Sequence, residues 1–435
     1  MLNLKQFLQS KVLRIIFLSY VFLIISFGRS FVGLSIFNFR IGEITIAISF
    51  VCLILFIIHM IFNLKDFSKI HKKLLLYISS LILTFIISII FYDVSFFNLY
   101  IYRVSSYIWS IGSLVLFTFW FKENNFSKKF IYLLNLLLIW VYYFSIYGIN
   151  DNLQNIILNY SDKFEYPKGS DVLMFFVFVS FFSNRIFINS KLRLEIFIFK
   201  AALYLPLLAI KSRSAFVAFV IFLILEIYSN KQLLKINIRN ILVITLTILI
   251  FLQSTFLVTK SGILKPDSIS ENIQFVSSYR SQEQNPGSTD NETRFIYFSK
   301  KRLYSADGNF NWRLQIWQDV FTDLKSSGKL LFGYGYFKKI PAMDDPLRSG
   351  NDGTNENVHN FLINVLARGG FLHLIFYCLF LINLYKLIPV KNKYGFLSIV
   401  IPLLFTSLFD ASMENAHYPI LFYLLVGFQL NTRKQ

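Results

Sequence analysis

Residues 41–63 read IGEITIAISFVCLILFIIHMIFN, a run of 23 residues with one charged side chain, Glu43. A helix that crosses a bilayer needs about 20 mostly apolar residues, so this run predicts a membrane span. Similar runs recur along the whole 435-residue chain, in which 55% of residues are hydrophobic and only 15% are charged. An average soluble protein has roughly 25% charged residues. The composition therefore excludes a soluble globular enzyme, a disordered chain and a coiled coil.

Twelve such runs predict an all-α polytopic membrane protein with about 12 transmembrane helices. Their approximate bounds are 13–28, 41–63, 74–91, 99–121, 130–149, 172–187, 196–210, 214–228, 241–259, 371–388, 396–410 and 418–430. The first run lacks an evident small-residue cleavage site and is predicted to be an uncleaved helix. The domain prediction is spans 1–9 in 1–259, a large outer loop in 260–357, and a re-entrant helix with spans 10–12 in 358–435.

The distribution of Lys and Arg predicts the orientation. With the N-terminus in the cytoplasm, the inner segments hold eighteen Lys and Arg residues and the short outer segments hold six. The positive-inside rule favours this arrangement, which places the 98-residue loop 260–357 on the outer face. The net charge of +19 then faces anionic lipid headgroups, so membrane lipids are expected partners and nucleic acid is not.

The second half of the loop contains Trp312, Trp317 and several Tyr and Phe residues, which predict a small folded core. Apolar residues at helical spacing predict an amphipathic helix at about 312–326, capped by Asn309 or Asn311 and resting on the outer surface of the bundle. The polar stretch 281–293 is predicted to be the most mobile part.

Two glycine-containing segments end the loop. LFGYGY (331–336) predicts a tight turn, because Gly333 and Gly335 permit close backbone approach. In ENVHNFLINVLARGG (356–370), one face is apolar and the opposite face is a polar stripe. This pattern predicts a short helix that dips into the outer leaflet and is broken at the terminal Gly-Gly before the tenth span.

Phosphate-loop, HExxH and paired CxxC motifs are absent, and the five His residues lack metal-ligand spacing, so neither a metal nor another cofactor is expected. The candidates for binding an anion are cations near the outer rim. Lys211 and Arg213 stand in KSRSAF (211–216), a turn too short to leave the membrane surface. A charge at the centre of a span costs about 2.5–3.5 kcal/mol, so a cation held near the rim is a functional candidate. Snorkelling to lipid phosphates is the alternative for Lys211, Arg213 and Arg103, and a solvated surface position is the alternative for Arg313.

His359 is the candidate general base, since neutral imidazole accepts a proton near pH 7. Asn360 is a candidate to orient it or to bind a sugar, while an interfacial histidine at a helix cap is the alternative. Asp410, Glu414 and His417 cluster in the last outer turn, as reserve bases or as a structural group. Cations beside one imidazole at the rim of an apolar bundle suit glycosyl transfer from a lipid diphosphate.

The chain resembles the O-antigen polymerase and O-antigen ligase superfamily in four ordered segments. They are SRSA (212–215), NWRLQIW (311–317), LFGYGY (331–336) and HNFLINVLARGG (359–370), with a long outer loop after the first. The resemblance covers about residues 205–385.

This resemblance implies a metal-independent membrane glycosyltransferase of the bacterial inner (cytoplasmic) membrane, with its active site facing the periplasm. The expected substrate is an undecaprenyl-diphosphate-linked oligosaccharide. Arg213 and Arg313 would bind the donor diphosphate, helped by Lys211 and Arg103, and His359 would act on the acceptor hydroxyl. The candidates for positioning the substrate are Asn360, Gly333, Gly335 and Glu414.

The composition, rich in Phe, Ile and Lys, resembles that of polysaccharide polymerases and favours an O-antigen polymerase. An O-antigen ligase that transfers the glycan to lipid A–core is the alternative. A chain-length regulator is a candidate partner of a polymerase. A lipid-linked oligosaccharide flippase is the alternative of another class, disfavoured by the 98-residue outer loop and by the lack of a clear inverted repeat.

Overall fold

The computed structural model describes residues 11–37, 39–63, 65, 69–92, 95, 98–116, 118, 128–161, 166–186, 193–229, 238–261, 295–299, 301–345, 348 and 355–431. The segment 281–293, predicted to be mobile, lies outside them. The helices are α1 (Lys11–Phe27), α2 (Arg29–Val32), α3 (Ile41–Phe62), α4 (Lys69–Phe91), α5 (Leu99–Val104), α6 (Ser106–Trp109), α7 (Ile111–Val115), α8 (Lys128–Tyr147), α9 (Asp151–Tyr160), α10 (Gly169–Ile186), α11 (Arg193–Lys211), α12 (Arg213–Ser229), α13 (Ile238–Lys260), α14 (Gly308–Ser326), α15 (Phe361–Leu387), α16 (Lys393–Ser407) and α17 (His417–Asn431). Short 3-10 turns occupy Pro341–Met343, Val390–Asn392 and Ser412–Glu414.

Apolar helices dominate the structure, and the predicted all-α polytopic membrane class is confirmed. Among the described residues, five stretches are long and apolar enough to cross a membrane: Ile41–Phe62, His71–Phe91, Lys128–Tyr147, Leu242–Lys260 and Phe361–Leu387. Within the described residues, each of the twelve predicted runs overlaps a helix or a series of short helices. In the bundle, α12 packs on α16, α11 on α13, and α4 on α15.

The fourth predicted span departs from a single helix. Its described part, 99–116, forms α5, α6 and α7, which are separated at Ser105 and Ser110. Ser49 of α3 donates its hydroxyl to the carbonyl of Trp109 at 2.6 Å. The Ser105 hydroxyl donates to the carbonyl of Ile101 at 2.6 Å, and such back-bonding competes with the regular helix ladder. These hydrogen bonds explain the interruptions.

Small elements that the sequence did not predict occupy the surface of the bundle. Strands β1 (Ser35–Ile36) and β2 (Phe39–Arg40) form one antiparallel hairpin, and β3 (Ile296–Ser299) and β4 (Arg302–Ser305) form another. Helix α9 lies between the fifth and sixth predicted spans, where only a loop was expected, and none of its ten residues is buried.

Helix α14 forms the centre of a second hydrophobic core, separate from that of the bundle. Ile316, Val320 and Leu324 are buried against Tyr334, Met343 and the start of α15. The predicted helix at 312–326 is thus confirmed, although it begins four residues earlier. Gly328 (φ 69°) follows its end. We call the end of the bundle that carries α14 the loop end.

The predicted break near Gly369-Gly370 is confirmed as a kink inside α15. Gly370 has φ 71°, a conformation that favours glycine. The kink opens the helix backbone to the turn 330–335. The N–H groups of Tyr334 and Gly335 donate to the carbonyls of Ala367 and Arg368 at 2.7 and 2.9 Å. In return, Phe371 N–H donates to the carbonyl of Leu330 at 2.8 Å. The turn and the kink therefore form one unit.

Candidate functional site

Arg213 is the first residue of α12, directly after the turn that follows α11. Its side chain is 82% exposed, and Nη1 donates to Asp307 Oδ2 at 2.5 Å. The Ser212 hydroxyl accepts the N–H of Ala215 at 3.4 Å, so Ser212 caps the helix. Arg213 is thereby held at the loop end with its guanidinium directed to the residue that precedes α14.

Asp307 joins this arginine to α14. Its Oδ1 accepts the N–H of Phe310 at 2.9 Å, so Asp307 is the helix cap. The prediction of Asn309 or Asn311 as the cap was wrong, because Asn311 Oδ1 instead accepts the N–H of Ser305 at 3.0 Å. Burial raises the pKa of Asp307, but the Phe310 N–H and the Arg213 guanidinium outweigh it and hold the pKa below its usual value.

Arg313 lies in the second turn of α14 and is half-buried. Burial lowers the pKa of Arg313, and the nearby carboxylates of Asp410 and Asp307 offset part of this effect. An arginine keeps its charge in proteins, so this position holds a cation that is partly withdrawn from water. Such a cation attracts an anion more strongly than one in bulk solvent.

His359 contacts the same turn of α14. The centroid of its ring lies 5.1 Å from that of Trp312. Trp317 also fixes this junction, since its Nε1 donates to the carbonyl of Val358 at 2.8 Å. His359 has φ 51°, an uncommon conformation for a residue with a Cβ. Strained backbone of this kind clusters at active sites and ligand-binding sites. Asn360 follows as the cap of α15, with Oδ1 accepting the N–H of Ile363 at 3.1 Å.

The start of α14 therefore links Arg213, Arg313 and His359 through contacts of its own residues. Arg213 reaches it through Asp307, Arg313 belongs to it, and His359 contacts Trp312. A diphosphate suits the two guanidinium groups, and a sugar hydroxyl suits the imidazole. The three residues come from sequence positions up to 146 apart, and the structure places them around one helix start.

Arg368 and Glu414 extend the site toward the bundle. Arg368 is only 1% exposed. It donates to Asn364 Oδ1 at 3.2 Å, to the carbonyl of Lys338 at 3.1 Å and to the Tyr100 hydroxyl at 3.3 Å. Burial raises the pKa of Glu414 to about 7, with Arg368 opposing and Asp410 adding to the rise. Sequence reasoning placed Arg368 on the polar stripe of α15 but missed it as a site residue.

The other members of the last outer turn have structural partners. Asp410 Oδ2 accepts the hydroxyl of Ser170 at 2.5 Å, in addition to its proximity to Arg313. His417 is buried, and its Nε2 lies 2.8 Å from Asp171 Oδ1. The predicted cluster of Asp410, Glu414 and His417 is thus divided. His417 joins α17 to α10, whereas Asp410 is near Arg313 and Glu414 is near Asp410 and Arg368.

The remaining predicted site residues lie at its margin or elsewhere. Lys211 Nζ donates to the carbonyl of Pro167 at 2.9 Å, which fixes it at the loop end beside α12. Arg103 Nη2 lies 3.1 Å from Glu43 Oε1, on the wall of another cavity that is described below. Its predicted role with Arg213 and Arg313 is not supported by a shared position.

Gly333 and Gly335 have a structural explanation. Gly333 has φ 69°, and a Cβ there would lie 2.5 Å from the backbone of Arg368. Gly335 has φ 82°, and its Cβ would meet Tyr92 and Phe337 at 2.9 Å. Gly333 thus permits the turn to approach the kink of α15, and Gly335 makes room for Tyr92 and Phe337. The role of both glycines in positioning substrate stays a prediction.

The comparisons with known proteins bear on the same segments. Residues 197–378 match the family model described as O-antigen ligase. No curated protein matches the chain. In the part of the chain that the structure describes, no group of three His, Cys, Asp or Glu side chains could hold a metal ion. This match includes Arg213, Arg313 and His359, so this part of the polytopic membrane protein is similar to the O-antigen ligase family.

Proposed function

We propose that this protein is an O-antigen polymerase of the bacterial inner membrane. It transfers the growing glycan from undecaprenyl diphosphate to a lipid-linked repeat unit on the periplasmic face. The convergence of Arg213, Arg313 and His359 on the start of α14 carries the proposal. The family match supports glycosyl transfer, and its description also favours the second candidate, an O-antigen ligase.

The reaction needs a base that takes the proton of the acceptor hydroxyl and cations that stabilise the leaving diphosphate. The acceptor hydroxyl attacks the anomeric carbon of the donor, the bond from that carbon to the diphosphate oxygen breaks, and the lipid diphosphate leaves. Arg213 and Arg313 bind the diphosphate and stabilise the charge that develops on it, an effect that is strongest where water is excluded. The hydroxyl proton passes to His359, a contribution of roughly 10²–10⁴-fold to the rate.

Glu414 is the second candidate for the base. Its pKa of about 7 is close to that of an efficient proton acceptor at neutral pH. The two candidates make different predictions. If His359 is the base, His359→Ala abolishes polymer formation and Glu414→Gln retains most of it. The reverse result would assign the proton transfer to Glu414.

Purified protein with a synthetic lipid-linked repeat unit provides the direct test. We expect wild-type protein to form a ladder of polymers, and Arg213→Ala and Arg313→Ala to lose it. Arg213→Lys should recover part of the activity, because Lys keeps the charge but lacks the planar fork. His59→Ala, at the far end of α3 from the site, is the matched control for His359→Ala and should retain the ladder. Near-normal product from His359→Ala and Glu414→Gln together would refute both base assignments.

Gene deletion separates the polymerase from the ligase. Loss of a polymerase leaves lipopolysaccharide with one repeat unit attached. Loss of a ligase leaves bare core and an accumulation of lipid-linked polymer. The second result would overturn the polymerase proposal and support the ligase.

A further inference from the structure

A cavity of about 660 Å³ lies at the loop end, on the side of the bundle formed by α2, α3 and α5. The 3-10 turn Ser412–Glu414 closes its inner side. The site described above is built on different elements, α12, α14 and the start of α15. Glu414, the second candidate base, lines this cavity, but Arg213, Arg313 and His359 do not. The volume of the cavity is within the range of ligand pockets.

Three arginines, Arg29, Arg40 and Arg103, are among the residues that line the cavity. Glu43 is placed between two of them. Its Oε1 lies 3.1 Å from Arg103 Nη2 and 4.0 Å from Arg40 Nη1, and Oε2 accepts the N–H of Arg40 at 3.1 Å. One carboxylate thus holds two guanidinium groups beside each other. Arg29, Arg40 and Arg103 outnumber the two carboxylates of the lining, Glu43 and Glu414, which leaves a positive charge that suits an anionic ligand.

The rest of the cavity wall is apolar and belongs to α3. Ile44, Ile48, Val51 and Cys52 contribute to it. Ile48 and Val51 are 57% and 53% exposed on the outside of the bundle, where lipid tails would lie. The cavity is therefore open sideways along an apolar helix face and ends in arginines. A ligand that fits has a long apolar tail and an anionic headgroup.

We infer that this cavity binds the diphosphate and the first part of the polyprenyl chain of the acceptor, the lipid-linked repeat unit. The inference rests on the proposed polymerase function, in which two lipid diphosphates react together. The donor diphosphate must lie at the bond that breaks, beside Arg213 and Arg313. The acceptor diphosphate is at the opposite end of a repeat unit from the attacking hydroxyl, so it needs a second cationic site away from His359.

Glu414 connects the two places. It lines the cavity, and its pKa responds to both Arg368 and Asp410 on the other side. Asp410 in turn is near Arg313. The repeat unit of the acceptor would pass over this turn from the cavity to His359. The two diphosphates would be served by separate arginines, so substitutions in the cavity should affect only one substrate.

The kinetic test uses purified full-length protein and two distinguishable substrates. The donor is a lipid-linked polymer whose non-reducing end is blocked, and the acceptor is a single lipid-linked repeat unit. In Arg40→Gln/Arg103→Gln we expect the KM for the acceptor to rise about tenfold or more, with the KM for the donor unchanged. A repeat-unit glycoside without lipid diphosphate should be used equally by wild type and variant. Lys260→Gln, which removes an exposed cation at the same end, is the matched control and should change neither KM.

A binding test keeps the inference separate from the polymerase proposal. A photoreactive polyprenyl diphosphate should label residues 29–52 in wild type, and the double variant should lose this labelling while keeping that near Arg213. Competition by phosphatidylglycerol as strong as by polyprenyl diphosphate would overturn the inference, as would equal rises in both KM values or an unchanged acceptor KM. Transfer to lipid A–core without polymerisation would defeat the proposed function. In that case, labelling of 29–52 would show a lipid diphosphate site but not an acceptor site, and the inference would fall.

Discussion

Replacing Glu414 by Gln should stabilise the protein at high pH and leave its stability nearly unchanged at low pH. Burial raises the pKa of Glu414 to about 7 from an ordinary value of 4.5. Since one pKa unit corresponds to about 1.4 kcal/mol, ionising this group costs about 3 kcal/mol more in the folded protein than in the unfolded chain. The cost is fully present above pH 7 and disappears as the pH falls toward 4.5.

The glutamine side chain has nearly the shape of protonated glutamic acid and carries no charge at any pH. The free energy of unfolding of Glu414→Gln should therefore exceed that of wild type by about 3 kcal/mol at pH 8.5 and by less than about 1 kcal/mol at pH 5. Thermal unfolding of the purified protein in detergent, recorded at both pH values, measures the difference in Tm. Asp344→Asn, which changes an exposed carboxylate, is the control and should give the same small difference at both. A difference for Glu414→Gln that does not depend on pH would refute the reasoning.

Three further substitutions test the architecture around α14. Gly333→Ala places a Cβ 2.5 Å from the Arg368 backbone at φ 69°, so we expect a lower Tm and faster proteolysis of the turn; unchanged proteolysis would contradict the contact. Asp307→Ala removes the cap of α14 and should lower the free energy of unfolding, measured by thermal unfolding, by about 1 kcal/mol. An unchanged free energy would show that the cap does not stabilise the protein. Asp319→Asn removes the charge that pairs with buried Arg348 at 3.0 Å, and should lower the free energy of unfolding by about 3 kcal/mol. A decrease below about 1 kcal/mol would show that this ion pair adds little stability.

Sequence patterns within short segments of the chain predicted much of the fold. The positions of the apolar runs, the helix at 312–326 and the break at Gly370 depend on hydrophobic period and glycine chemistry, which can be read along the chain. The interruption of the fourth span was not predictable in this way. It depends on a hydrogen bond from Ser49 to the carbonyl of Trp109, which are 60 positions apart.

In the candidate site, too, local sequence features predicted some residues, whereas others depend on contacts between distant segments. Arg213, Arg313 and His359 were predicted because cations and an imidazole stand out in an apolar chain, and the resemblance supports them as candidates. Their common position at α14 depends on Asp307. The sequence did not single out Asp307 as the helix cap, because Asn309 and Asn311 are also suitable cap residues. Arg29 and Arg40 were counted only as basic residues of outer segments. Their cavity arises from the packing of α3 beside α5 and the turn at Glu414, which no local pattern reports.

The backbone hydrogen bonds between residues 330–335 and the kink of α15 have a mechanical consequence. They join the hydrophobic core around α14 directly to the membrane helix α15. A tilt of α15 would therefore also move Arg313 and His359. The hydrogen bonds between residues 330–335 and the kink would have to break before α14 could separate from α15. If the proposed function holds, the saccharide must reach Arg313 and His359 without separation of α14 from α15.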